Sequence, residues 1–203
     1  MALIPQQTLI TSLIKEILGD TYTHLHVKKV RIEEDLEADT TTVYCEATNE
    51  SSGEHFAISK TGVGVIDAFF NAMVDRFAAE YPSLKSIRFN SFAVNAQLDT
   101  KQQQAGTDAM GEVTLEIATS DDKIFTFKHA SRSVIGSALI TTLLGLEYFI
   151  NSERAFVTAH LALKDARERN RHDLIQRYTG ALAQLVQNTS YSEVIGKIRE
   201  EMG

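Results

Sequence analysis

The chain has 203 residues, of which 43% are hydrophobic and 23% charged, a balance that supplies a sizeable folded core and excludes a disordered chain. A formal net charge of −7 speaks against nucleic acid as a partner, because phosphate recognition relies on clustered Lys and Arg that release counterions. The single cysteine, Cys45, excludes an intramolecular disulfide; with no basic leader ahead of an apolar block and no run of the roughly 18 apolar residues a spanning helix needs, the expectation is a cytoplasmic protein that engages no membrane.

From Thr8 on, Leu9, Ile10, Leu13, Ile14, Ile17 and Leu18 recur at helical spacing, with Pro5 ahead and Gly19 behind, which predicts a short amphipathic helix. Its aliphatic stripe must bury, either on the body of the domain or on the same helix of a second subunit. Alternation predicts strands over 24–34 and 41–48. The acidic run between them (Glu33, Glu34, Asp35, Glu37, Asp39) either solvates a hairpin end or weakly holds a cation. Asn49 to Gly53 is dense in turn formers, 55–60 reads as a third strand, and 65–81 places Ile66, Phe69, Phe70, Met73, Val74 and Phe77 on one helical face that Pro82 ends. Cys45 falls in an alternating apolar stretch, where a buried thiol is the simple reading.

The same order then repeats. Strands are expected over 86–98, 111–118 and 123–129, and a strongly apolar helix over 134–150. Glu46 corresponds to Glu116, Phe56 to Phe125, and Val65-Ile66 to Val134-Ile135. Two such units must bury their apolar faces against one another, so the predicted class is α+β: duplicated β-β-β-α units in a pseudo-twofold sandwich. The expected organisation is an N-terminal helix over 1–23, a duplicated domain over 24–151 (units 24–84 and 85–151), and a helical extension over 152–203. Within that extension, 153–166 and 173–187 have helical spacing, and Ser192 can cap a last helix. The polar run from Arg167 to His172 reads as a solvated helix face or a short connector.

In each copy a distinctive turn joins the third strand to the helix: Gly62-Val63-Gly64-Val65-Ile66-Asp67-Ala68 and Ser131-Arg132-Ser133-Val134-Ile135-Gly136-Ser137. A helix N-terminus offers unpaired N–H groups and partial positive charge, and glycine before it permits close approach, so the first turn is a candidate carboxylate cradle. Such turns also arise for backbone reasons alone. In the second copy, Ser131 and Ser133 can instead cap the helix internally. Asp67 either complements the helix dipole or receives an ammonium group.

The first turn, together with Thr107-Asp108-Ala109-Met110-Gly111-Glu112-Val113, resembles the C-terminal regulatory, dimerising domain of α-isopropylmalate synthase and its citramalate synthase relatives, over approximately 27–151. The resemblance implies two three-strand-plus-helix units, pairing of domains in a homodimer, and an end-product amino acid held between units. Ser131 and Ser133 depart from it, standing where the first copy has Gly62 and Gly64. The expected ligand is a branched-chain amino or keto acid, with its carboxylate at Gly62 and Gly64 and its apolar tail near Ile66 and Ile135. Asp108 either shapes that pocket or forms a turn; Ala68, Ala109 and Ala130 either leave room for an aliphatic side chain or simply pack.

Catalytic constellations are poor. His24 and His26 share a strand face without a third metal ligand, and His129 and Ser131 lack an acid to orient the histidine. The chain also lacks the alternating strands and helices of a catalytic barrel. The expectation is therefore a regulatory, dimerising protein rather than an enzyme, with no metal or cofactor, acting on a separate synthase partner. The rivals are a purely structural dimerisation module and, further off, a small hydrolase or metalloenzyme.

Overall fold

The computed structural model describes residues 5–97 and 110–188. Its elements run α1 Pro5–Leu18, β1 Leu25–Asp35, β2 Thr40–Asn49, β3 Glu54–Gly62, α2 Val65–Phe77, β4 Arg88–Gln97, β5 Met110–Ala118, β6 Ile124–Ser131, α3 Val134–Glu168 and α4 His172–Asn188. The strands form two antiparallel sheets, ordered β1-β2-β3 and β4-β5-β6, so the duplicated β-β-β-α plan is the architecture of the chain. The last helix expected beyond Ser192 lies outside the described residues.

The duplication extends to the irregularities. In the first sheet Lys29 pairs with Glu46, which pairs with Ala57; in the second, Ser91 pairs with Glu116, which pairs with Thr126. Both leading strands shift register at the equivalent place, between Val27 and Lys29 and between Phe89 and Ser91. Such a shift is where a bulge re-aims a strand, and its recurrence at the same register is part of the duplicated plan. Phe56 and Phe125 likewise occupy matching positions, opposite Ala47 and Ile117.

Alternation determines which face is covered. Val43, Cys45, Ala47 and Ile58 are buried on the side where α2 contributes Ala68, Phe69, Ala72, Met73 and Phe77. In the second unit Val113, Leu115, Ile117, Phe125 and Phe127 are buried on the face that α3 covers. Burial pushes the Cys45 thiol up to about 11, which keeps it protonated and inert. At the tip of the first hairpin Asp35 accepts N–H bonds from Glu37 and Ala38, both 3.0 Å, leaving the acidic run as an exposed turn.

Two helices depart from the sequence reading, and another answers a question it left open. α2 ends at Phe77, four residues before Tyr81, and Pro82 opens a short 3₁₀ turn, Pro82–Lys85, instead of stopping the helix itself. α1 settles the open question of its partner: Ile10, Ile14 and Leu18 are buried within the same chain, with α3 and α4 as its helical neighbours.

The second departure is the larger. The helices expected over 134–150 and 153–166 are one 35-residue helix, α3. The polar Asn151-Ser152-Glu153 resembles a helix end but is buried and bonded. Asn151 accepts from the Thr23 N–H at 2.7 Å and donates to the carbonyls of Thr23 at 2.9 Å and Glu147 at 2.8 Å, while Glu153 accepts from the Ser83 N–H at 3.0 Å. A stretch of α3 has the length and a mean hydropathy, 1.5, of a membrane span, yet 72% of it is buried inside the fold. α3 covers the second sheet with its first half, then carries Glu147, Asn151 and Glu153 to the segments flanking the first unit. After a connector in which Asn170 has φ 53°, α4 folds back on α3.

Candidate functional site

The two strand-to-helix turns are built differently. In the first, the Asp67 carboxylate folds back over its own turn, accepting the Val63 N–H at 3.2 Å and the Asn71 amide at 2.8 Å. Gly62 makes this possible. A Cβ there would collide with the Asp67 carboxylate and lie 2.8 Å from the Ala68 nitrogen, closer than packed atoms come. Ala68 is fully buried, and its N–H bonds the Gly64 carbonyl at 2.9 Å. Gly64 holds the N-cap position of α2 without any side-chain cap, and among the described residues nothing crowds the space where its Cβ would be. Val65, Ile66 and Asp67 are half-buried around this opening.

In the second turn a serine network takes over. Ser133 caps α3, its hydroxyl oxygen accepting the Gly136 N–H at 3.0 Å. The Ser131 hydroxyl donates to the Ser133 carbonyl at 2.9 Å and lies 2.9 Å from the Ser137 hydroxyl, which itself donates to the Gly111 carbonyl at 2.9 Å. Ser137 occupies the place of Ala68 in the first copy. The glycine that allows close approach has also moved across the ladder: Gly62 pairs with Thr41, whereas Ser131 pairs with Gly111, and a Cβ on Gly111 would lie 2.7 Å from a Val134 methyl. Each unit thus keeps one glycine under its helix N-terminus, on opposite strands of the pair.

Of the remaining candidates, Ile135 is about half exposed beside Val134 on the first turn of α3. Ala130 shares a sheet face with Lys128 and Thr126, opposite to that of Ser131 and His129. Asp108 and Ala109 lie outside the described residues. The Ser131 hydroxyl is engaged within its own turn instead of by His129. His24 stacks at 4.8 Å on Tyr22, and the described residues gather no group of three or more His, Cys, Asp or Glu around a common metal position.

These two helix N-termini, one open and one capped, sit in a duplicated β-β-β-α frame, and residues 6–150 match the family model described as the LeuA allosteric (dimerisation) domain. The chain belongs to that family. No curated protein matches it.

On this LeuA dimerisation domain a further feature stands out. Phe92 pairs with buried Leu115 and Val94 with buried Val113, so both project from the helix-covered face of the second sheet, yet they are 43% and 46% exposed. Among the described elements α3 covers β5 and β6 and leaves the β4 margin open. Val134, set over Gly111, extends the apolar surface to the α3 N-terminus, where Ile135 is also exposed. In the first unit the equivalent Val30 and Ile32 are only half-buried.

Sequence reasoning missed the polar residues of α3. Glu147 is buried, accepts the Leu25 N–H, and is pushed up to about 7, chiefly by desolvation and further by the Glu50 charge. Their spacing was a usable signal: Glu147, Asn151 and Arg154 fall at i, i+4 and i+7 inside an apolar helix.

Proposed function

We propose that this chain is a non-catalytic regulatory protein of the cytoplasm: a homodimer that binds a branched-chain amino acid, or the related keto acid, and transmits occupancy to a separately encoded synthase. The observation that carries the reading is the uncapped N-terminus of α2 behind Gly64. Main-chain N–H groups there, reinforced by the helix dipole, suit a ligand carboxylate. Ile66 and Ile135 supply apolar surface for its side chain. The apolar margin of Phe92, Val94 and Val134 is the surface we assign to dimerisation, since exposed apolar patches of this kind mark interfaces. A differential affinity of about 1–3 kcal/mol between two packings would suffice for regulation.

Isothermal titration with leucine, isoleucine, valine and their keto acids tests the reading, with sedimentation for the oligomeric state. Saturable heat and thermal stabilisation support it; silence across millimolar ligand sinks the sensor. The serine cap of α3 favours a second reading, a dimerisation module that has dispensed with ligand. Gly64→Tyr separates the two: a sensor loses its ligand response while remaining dimeric, and a scaffold has no response to lose.

A further inference from the structure

Far from both strand-to-helix turns, at the other end of α2, a half-open cavity of about 350 Å³ is lined by four separate segments of the chain. Asp20, Thr21 and Thr23 come from the connection after α1, Asn49, Ser51, Ser52 and Glu54 from the β2–β3 turn, Phe77, Glu80 and Tyr81 from the end of α2 and just after it, and Arg154 from α3. Its volume is that of a small-metabolite site.

Arg154 is the distinctive group. It is only partly exposed, donates one N–H to the Thr23 hydroxyl, and forms no ion pair among the described residues. A guanidinium has five N–H donors in a planar fork that matches a carboxylate. The acids nearby are arranged differently. Glu54 is neutralised by Arg76, while Glu80, which accepts the Tyr81 hydroxyl at 2.6 Å, and Asp20 are exposed at the rim. The lining therefore combines the Arg154 cation with the exposed carboxylates of Glu80 and Asp20, and Thr21, Asn49, Ser51 and Ser52 complete a polar wall.

We propose that this cavity is a binding site for a small polar α-amino acid, its carboxylate on Arg154 and its ammonium group on Glu80 and Asp20. This pairing of charges within one small volume fits a zwitterion better than a simple anion or a simple amine. Because its walls come from the first unit and from α3, an occupant ties the first unit to the long helix. The site is separate from the α2 N-terminus and does not depend on the reading given to it.

Titration and thermal shift with L-serine, L-threonine, L-asparagine and L-glutamine test the proposal, with ethanolamine lacking the carboxylate and 3-hydroxypropionate lacking the ammonium group as controls. The expected result is saturable binding of at least one amino acid and neither control, weakened about tenfold or more by Arg154→Gln, the loss of one charge-assisted hydrogen bond. Glu80→Gln, on the exposed rim, gives a second loss of affinity in a variant whose fold is not in question. Gly64→Tyr, which blocks the other site, leaves this binding intact. Silence from all four amino acids overturns the proposal, as does binding that survives both Arg154→Gln and Glu80→Gln. Binding lost in Gly64→Tyr but kept in Arg154→Gln moves the ligand to the α2 N-terminus, overturning this proposal alone.

Discussion

Asp67 lies folded back over Gly62 so closely that a single methyl group on the glycine would strike its carboxylate. That carboxylate closes the turn through the Val63 N–H, so the side chain that looks most suited to greet a ligand is first of all part of the turn. Gly62→Ala must displace Asp67 or the start of α2, at a cost of about 1–3 kcal/mol for overpacking. Gly64→Ala has open space and extended backbone, and should change stability little. Urea unfolding of the two variants side by side checks this; equal losses in both would refute the account of the turn.

The second turn makes the complementary prediction. Ser133→Ala removes the cap on the Gly136 N–H and should cost about 1 kcal/mol, the usual value of a helix N-cap. Ser133→Asp keeps an acceptor and adds a charge that the helix dipole favours, so it should retain or exceed wild-type stability. The order Asp, Ser, Ala in melting temperature is the readout. An alanine variant as stable as wild type means that the serine network does not hold the α3 N-terminus.

How much of this was legible in the sequence depends on the range of the interaction. Val43, Cys45 and Ala47 alternate within one strand, and Phe69, Met73 and Phe77 recur along one helix, so the duplicated plan can be read locally. Asn151 cannot be read in this way. Its partner Thr23 is 128 residues distant, and without that partner a polar Asn-Ser-Glu stretch is indistinguishable from a helix end. The candidate site divides similarly. The turn around Gly62 and Gly64 is visible as a motif, but the transfer of the close-approach glycine from β3 in one unit to β5 in the other appears only when Ser131 is seen paired with Gly111. Arg154 and its cavity depend on four segments converging, which no local pattern encodes.

Glu147 predicts a pH dependence. Its folded-state pKa, about 7, stands above the ordinary 4.5 because burial disfavours the charge. Below the unfolded value both states hold the proton and the group contributes no penalty. As pH rises from there towards 7 the unfolded chain ionises first, so stability falls, and above 7 the full cost remains, on the order of 3 kcal/mol. Lys15 and the Leu25 N–H favour the charged form and Glu50 opposes it. Glu147→Gln keeps an acceptor for Leu25 without the charge. Denaturant unfolding at pH 5 and pH 8 should show the variant gaining on wild type at the higher pH; a difference independent of pH would remove Glu147 as the source.

The margin of β4 predicts how the molecule associates. Phe92 and Val94 project from the same face as the buried Leu115 and Val113, so their exposure is a gap in coverage and not the ordinary solvated side of a sheet. If a second copy covers that gap, placing a charge there introduces an unpaired ion into a dry contact, which costs several kcal/mol, while the free subunit tolerates it because the position is already open to water. Phe92→Lys with Val94→Lys should therefore convert a dimer to a monomer in sedimentation experiments and leave the far-UV spectrum unchanged. The matching control is Ala93→Lys on the opposite, solvated face, which should leave association intact. A dimer that survives the double substitution, or that is lost equally in the control, places the contact elsewhere, with the half-buried margin of Val30 and Ile32 as the next surface to test.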